Sequence, residues 1–244
     1  MLSVESPLTR LPSDLPAREA MFYDGVRFAI EMLNISYHRL VSGLDLLSVR
    51  GFAEGLVPGV MLDAWAIVDS ADRLRKLLSQ APNGVQRSTP GVRDLRAALE
   101  PCHSLRNDIQ HLEGTVIGHA ANATPTWGGL SWLRLVAEDG SLVQGFSLIP
   151  GGIRRLRGAG KMPVPMGRSF GHQLDHVTLT AYGTTASLSD VFRAVEVFVD
   201  PLERTLAEAW IGKPVGGSDL LATIEFELEV DPESTGAGEG QGDG

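Results

Sequence analysis

Apolar residues recur at intervals of three and four along the first third of the chain, and this pattern constrains the fold more than any other feature. The residues that share it are Phe22, Val26, Ala29, Ile30, Leu33, Tyr37, Leu40 and Leu44. Such spacing places them on one face of an α-helix, which has about 3.6 residues per turn. A face of this kind has to be buried against another element, so it predicts a helical bundle.

Three further segments repeat the helical pattern. The second helix follows Pro58 and ends at the turn signal of residues 81–84. The third begins with Thr89 as N-cap and Pro90 at its first position, and Gly114 ends it. In the last, we expect Pro201 to kink or restart the helix. The predicted helices span residues 14–42, 57–81, 90–113 and 189–211, with Gly43 and Gly51 loosening the chain after the first.

The segment from residue 119 to 187 has a different character. It is rich in Gly, Pro, Thr and Ser, and alternating apolar residues predict strands at 130–136, 142–149 and 177–182, with a hairpin turn at 138–141. Strict alternation over residues 222–230 predicts a C-terminal strand that pairs with this β insertion. The acidic, Gly-rich tail of residues 231–244 predicts disorder. The fold class is therefore mainly α: one domain over residues 1–230, an up-down helical bundle with a small antiparallel β insertion.

Polar residues cluster near the end of the third helix, in the stretch LRNDIQHLEG that begins at residue 105. On a helical wheel the polar sector holds His103, Arg106, Asn107, Gln110 and His111. The opposite sector holds Leu105, Ile109 and Leu112. One interpretation is a site in which Arg106 and His111 reach a point above Asn107. The other is a solvated face with a histidine near the negative end of the helix dipole.

RNDIQH resembles the Arg-x4-6-His motif of the HEPN superfamily, in which a polar residue, often Asn, follows the arginine. The resemblance covers residues 13–114 and 189–211. It implies a HEPN-like bundle in which Arg106, Asn107 and His111 are the catalytic residues of an endoribonuclease. It also implies a homodimer in which two motifs meet, and a toxin–antitoxin or defence system with a cognate antitoxin protein. Some members have a modifiable Tyr two residues after the His; here that residue is Glu113.

The residue types suit cleavage of RNA through its own 2′-hydroxyl. An imidazole, with a reference pKa of about 6.5, can accept or donate the proton. A guanidinium offers a fork of donors that fits phosphate oxygens. Two copies across a twofold axis provide both an acid and a base, so neither a metal ion nor a cofactor is required.

A basic stretch offers a weaker candidate for RNA binding. Between residues 153 and 168 it carries five positive charges and no acid: Arg154, Arg155, Arg157, Lys161 and Arg168. It either follows an RNA backbone or is a solvated loop. The net charge of −9 means that any contact with RNA depends on a local basic patch.

The second helix carries charged residues with two interpretations. Asp69 and Arg73 stand four residues apart, and Asp63 and Asp72 lie on the same helix. Either a carboxylate orients Arg106 or His111 from this neighbouring helix, or the charges form a surface salt bridge.

The remaining cues concern metals and compartment. The single cysteine and the histidines match no zinc pattern, so we expect no metal site. No signal peptide is evident and no apolar run approaches about 18 residues, which predicts a cytoplasmic protein without a membrane partner. Besides the ribonuclease, a non-catalytic module that binds or dimerises with a protein, nucleotide or RNA partner stays open, as does a purely structural role.

Overall fold

The computed structural model describes residues 1–3, 5–53, 55–82, 90–111, 125–137, 142–151, 170–216, 219 and 221–226. Within them a short 3-10 helix, Pro7–Thr9, precedes four α-helices and one sheet. The helices are α1 (Ala17–Arg50), α2 (Leu56–Ser79), α3 (Pro90–Gln110) and α4 (Leu188–Ala209). The strands are β1 (Gly129–Leu135), β2 (Val143–Leu148), β3 (Leu174–Ala181) and β4 (Thr184–Ser187). A mainly α fold with a small antiparallel sheet is thus confirmed.

The apolar face predicted for α1 is buried along its whole length, because it packs against α2, α4 and the short 3-10 helix. The helix extends beyond the predicted end through Gly43 and stops before Gly51, whose φ is +74°. At Gly43 a Cβ atom would lie 2.5 Å from Val60 Cγ1. Glycine here allows α1 and α2 to approach closely, which is why it does not loosen the helix.

The later helices also differ from their predicted bounds. Ser187 caps α4 by accepting a hydrogen bond from the Asp190 backbone N–H (3.3 Å). The helix does not restart at Pro201; the carbonyl that Pro201 leaves without a partner belongs to the exposed Val197, where water can hydrate it. Helix α3 ends at Gln110, and His111 lies in the following turn. The predicted cap Thr89 and terminal Gly114 lie outside the described residues.

The sheet has the strand order β2-β1-β3-β4, and all neighbours are antiparallel. Its first three strands correspond to the predicted strands, and Trp132 of β1 stacks on Phe146 of β2 with ring centroids 5.3 Å apart. Strand β4 was not predicted, because its four residues, TTAS, carry no apolar alternation. The predicted turn at 138–141 lies outside the described residues.

The sheet shares one core with the helices rather than standing apart from them. Leu130, Val177 and Leu179 are fully buried in the same cluster as the helix residues. Trp132 Nε1 donates to Ser48 Oγ of α1 at 2.9 Å. The strands therefore complete the bundle core, which is more than a small surface insertion would do.

The predicted C-terminal strand does not form in its described part. Residues 221–226 pair with no strand, and Ile224 and Phe226 are exposed. Alternation makes a segment suitable for a sheet but does not supply an edge to pair with. Residues 227–230 and the tail of residues 231–244 lie outside the described part of the chain. No described helix combines the length and apolar character needed to cross a membrane.

Candidate functional site

Helix α3 turns its polar sector towards α2. Its apolar residues Leu99, Cys102 and Leu105 are fully buried in the core. One helical period positions His103 and Arg106 on the side next to α2, where both are half-buried. The interface between the two helices is thus charged along its outer edge. We call the residues Asp69, Asp72, Arg73, Lys76, His103, Arg106 and Asn107 the α2–α3 polar cluster.

Arg106 is directed at the carboxylates of α2. Its Nε lies 2.5 Å from Asp69 Oδ1, and its Nη1 lies 3.5 Å from Asp72 Oδ2. The other oxygen of Asp69 lies 2.6 Å from Arg73 Nε. Asp69 therefore forms the expected i, i+4 pair and also holds Arg106 from the neighbouring helix, so the two interpretations of this carboxylate are combined.

His103 connects a buried carboxylate to an amide. Its Nδ1 lies 2.7 Å from Asp72 Oδ1, and its Nε2 lies 3.1 Å from Asn107 Nδ2. Because a carboxylate only accepts hydrogen bonds, Nδ1 donates to Asp72, and Nε2 then accepts from the Asn107 amide. The His103 side chain is 24% exposed, so one edge of the ring reaches solvent.

Asp72 is the charge around which the cluster is built, since its side chain is fully buried. Lys76 Nζ lies 2.7 Å from Oδ2, as an ion pair rather than an aligned hydrogen bond. Burial tends to raise the pKa of Asp72, but the contacts with Lys76 and His103 outweigh burial and hold it below its usual value. Asp72 is consequently ionised at neutral pH.

The three residues predicted as catalytic are not equally placed. Arg106 and Asn107 belong to the cluster, whereas His111 is exposed in the turn beyond α3, where its N–H donates to Asp108 O at 3.3 Å. His111 stands five positions after Arg106, which corresponds to about 8 Å along a helix axis. Between them Asp108 accepts a hydrogen bond from Thr184 of β4 (3.2 Å), which ties this end of α3 to the sheet.

Sequence reasoning missed the pairing of His103 with Asp72. Both residues carried a signal, since His103 lies in the predicted polar sector and Asp72 stands three residues from Asp69 on α2. Two carboxylates three residues apart lie on the same side of α2 and so face the same neighbouring helix. The polar sector of α3, the only one that its described residues form, lies against that side. The rotation of α2 that brings Asp72 to His103 is not encoded locally.

The other predicted candidates contribute little to this site. The basic residues Arg154, Arg155, Arg157, Lys161 and Arg168 all lie outside the described residues. Burial raises the pKa of the Cys102 thiol to about 12, with a further contribution from the charge of Asp72, so it stays protonated. Within the described ranges no group of three or more His, Cys, Asp or Glu residues is arranged to hold a metal ion.

A second buried aspartate lies where β3 meets α4. Asp175 accepts hydrogen bonds from the backbone N–H groups of Gly171 (2.8 Å) and His176 (2.6 Å) and from Arg193 Nη1 (2.8 and 3.0 Å). Burial raises its pKa, but these donors lower it by more, so that it stays below its usual value. His176 is buried at φ +55°, its ring nitrogens lack hydrogen-bond partners, and Phe170 meets it edge-on at 5.0 Å.

Comparison with known proteins adds nothing to this geometry. No protein-family model, no curated protein and no solved structure matches the chain.

Proposed function

We propose that the α2–α3 polar cluster is the site of a metal-independent endoribonuclease in a HEPN-like bundle. The observation that carries the proposal is the chain of contacts from buried Asp72 through His103 to Asn107, directly beside Arg106. A carboxylate that fixes one nitrogen of an imidazole directs the other nitrogen towards proton transfer, and here that nitrogen, Nε2, is held by the Asn107 amide until substrate replaces it. The resemblance of RNDIQH to the HEPN motif points to the same helix.

The charge of the cluster suits an anionic substrate. Arg73, Lys76 and Arg106 contribute three positive charges against the two negative charges of Asp69 and Asp72, so these five side chains have a net charge of +1. The whole protein carries −9. A local excess of positive charge in an acidic protein supports recognition of a phosphate at this interface.

The proposed reaction transfers two protons and breaks one bond. The 2′-hydroxyl displaces the Asn107 amide from His103 Nε2, and Nε2 takes the hydroxyl proton. The oxygen then attacks the adjacent phosphorus while Arg106 binds a non-bridging phosphate oxygen. The bond from phosphorus to the 5′ oxygen breaks, and an acid protonates the leaving oxygen. The products are a 2′,3′-cyclic phosphate and a 5′-hydroxyl. Before RNA binds, Asn107 holds the imidazole in place through Nε2.

The acid in this scheme is His111 of a second copy. Within one chain His103 and His111 are eight residues apart, or about 12 Å along a helix, which is too far to flank one phosphate. A homodimer that brings two motifs together supplies the missing imidazole. The cellular setting we propose is a cytoplasmic toxin–antitoxin or defence system with a cognate antitoxin protein, and it rests on the motif resemblance alone.

A second candidate function is a non-catalytic binding module. Arg106 is already engaged by Asp69 and Asp72, as in an ion-pair network that orders two helices. In that case the cluster binds an RNA, nucleotide or protein partner without cleaving it.

One assay separates the two candidates. Purified protein is incubated with a single-stranded RNA oligonucleotide in EDTA, beside the same oligonucleotide with 2′-deoxyribose throughout. We expect cleavage of the RNA only, with 2′,3′-cyclic phosphate ends, and a loss of about 10²-fold or more in His103→Ala, His111→Ala and Arg106→Ala. The matched control is His172→Ala, because His172 is an exposed histidine outside the cluster.

The outcomes that contradict the ribonuclease are specific. Binding of the RNA without cleavage supports the binding module instead. Cleavage that survives His103→Ala removes this residue from the mechanism, and cleavage that EDTA abolishes shows that a metal ion takes part.

A further inference from the structure

Helix α1 carries a second apolar stripe on the side opposite the core. Its apolar members are between 41% and 75% exposed: Met21, Phe28, Met32, Ile35, Leu46 and Val49. Gly25, Arg39 and Ser42 complete the pattern, so that spacings of four and three alternate without a break from residue 21 to residue 49. We call these nine residues the outer seam of α1.

The outer seam has the period of a helix that packs against another helix. Alternating spacings of three and four repeat every seven residues, as at the a and d positions of paired helices. The inner face of α1 keeps a similar spacing and is buried by the protein's own core. The six apolar residues of the outer seam are all at least 41% exposed, and exposed apolar surface that is aligned along one helix marks an interaction site.

Open grooves run beside both halves of the seam, between α1 and α2. One, of about 540 Å³, is lined by Gly25, Phe28 and Met32 of α1. The other, of about 430 Å³, is lined by Ser42, Gly43 and Leu46. The side chains of a second helix packed along α1 can therefore enter a groove beside each half of the seam.

We propose that the outer seam of α1 is the interface with a second copy of this chain, and that the two α1 helices pack antiparallel. A parallel, in-register pair would place the Arg39 side chains of both copies against each other. The antiparallel register that sets Met32 against Ile35 of the second copy avoids this clash. It also sets Met21 against Leu46 and Gly25 against Ser42 of the second copy.

The charges flanking the seam fit the same arrangement. In this register Arg39 lies beside Phe28 of the second copy, on the ring face that Arg27 of that copy leaves open. It is also within reach of Glu31 of that copy, which pairs with Arg27 at 3.6 Å. In the monomer Arg39 is largely exposed, and its Nε lies 3.3 Å from Asp63. Arg39 of each copy therefore lies between two carboxylates, Asp63 of its own chain and Glu31 of the other, so the antiparallel register places opposite charges together across the seam.

The seam adjoins the α2–α3 polar cluster. Arg73 and Lys76 line the same groove as Phe28 and Met32, and they also contact Asp69 and Asp72. A second copy on this face lies next to the cluster, as the proposed two-motif site requires. This inference names the interface of the homodimer in the proposed function. Its evidence is the outer seam, and it does not depend on RNA cleavage.

Sedimentation equilibrium of the full chain tests the interface without reference to activity. We expect wild-type protein to have twice the monomer mass of 26.2 kDa. Ile35→Glu and Leu46→Glu should each weaken the dimer at least 100-fold, because a buried charge replaces an apolar contact. Their circular dichroism and melting temperature as monomers should match those of wild type at low concentration, since both residues are exposed in one chain.

The matched control is Val197→Glu, which introduces the same charge at an exposed apolar residue of α4 and should leave the dimer intact. A wild-type protein that stays monomeric at about 100 μM overturns the proposal. So does a dimer that survives both seam substitutions, or one that Val197→Glu disrupts equally.

Disulfide cross-linking tests the direction of the pairing. The native Cys102 is buried and does not interfere. A mixture of Met21→Cys and Leu46→Cys proteins should cross-link on mild oxidation, whereas Met21→Cys alone should not, because antiparallel packing separates its two copies by roughly 40 Å. Self-cross-linking of Met21→Cys would show that the helices pack parallel.

Discussion

Among the residues that the structure describes, Asp72 and Asp175 have fully buried side chains, and both face an arginine. Their other partners differ. Asp175 is held by two backbone N–H groups and by Arg193, which ties the segment before β3 to α4. Asp72 is surrounded by side chains of α2 and α3, among them Lys76 and His103.

The difference separates a buried charge that fixes the fold from one that can take part in chemistry. The pKa of both carboxyls is lowered despite burial, so neither burial nor ionisation distinguishes them. The imidazoles beside them do. His176 next to Asp175 is buried and its ring nitrogens lack partners, whereas His103 is bonded on both nitrogens and has an exposed edge. A buried charge thus indicates a candidate site when a side chain bonded to it can transfer protons and has an edge exposed to solvent.

Asp175→Ala gives the largest expected loss of stability. It removes the acceptor of two backbone donors and of Arg193, and we expect the free energy of unfolding to fall by about 3 kcal/mol. Urea denaturation at pH 7 measures this loss. The control Asp190→Ala removes the other, exposed partner of Arg193 and should cost less than about 1 kcal/mol. Equal losses in the two variants would show that the backbone bonds of Asp175 contribute nothing.

Asp72→Asn is expected to cost about 2 kcal/mol at pH 7, because it leaves Lys76 and Arg106 beside a neutral group. The pKa of Asp72 is lowered on folding, so its charge stabilises the fold fully above its unfolded pKa of about 4. That contribution is lost as the pH falls through the lower, folded pKa. The difference between wild type and variant should therefore shrink between pH 5 and pH 2 in urea denaturation. A constant difference would mean that Asp72 is not ionised in the fold.

Local periodicity predicted the elements but not their pairing. The buried face of α1 follows from spacing alone, since every turn repeats it. The contact between Asp72 and His103 joins residues 31 positions apart, and it depends on how two helices rotate about their axes. Strand β4 carries no pattern of its own and forms because β3 offers it an edge. The exposed residues Ile224 and Phe226 show the converse, a strand pattern without an edge.

His103→Gln tests whether the Asp72 region has a chemical role that the Asp175 region lacks. We expect a loss of about 1 kcal/mol in stability, since the ring, which is 24% exposed, gives up one hydrogen bond to a charged group. RNA cleavage should fall about 10²-fold or more. The comparison variant is His176→Phe, which removes ring nitrogens that lack partners and should leave cleavage unchanged. Loss of cleavage in both variants at equal stability would show that the Asp72 region has no chemical role that the Asp175 region lacks.

Arg73→Ala has the smallest expected effect on stability. It tests whether the side chains around Asp72 bind an anion. The Arg73 side chain is 62% exposed, so its pair with Asp69 should contribute no more than about 0.5 kcal/mol. Asp69, however, is shared between Arg73 and Arg106. Without Arg73, Asp69 pairs with Arg106 alone, and the net charge of the cluster falls by one. An RNA phosphate should therefore bind more weakly, by up to about tenfold at low salt.

Arg93→Ala removes the same charge from an exposed site on α3 outside the cluster and serves as the control for long-range attraction. Weaker binding in Arg73→Ala than in Arg93→Ala, at equal stability, places the phosphate at the cluster. Equal binding in the two variants makes Asp69, Arg73 and Arg106 a structural network like the one around Asp175.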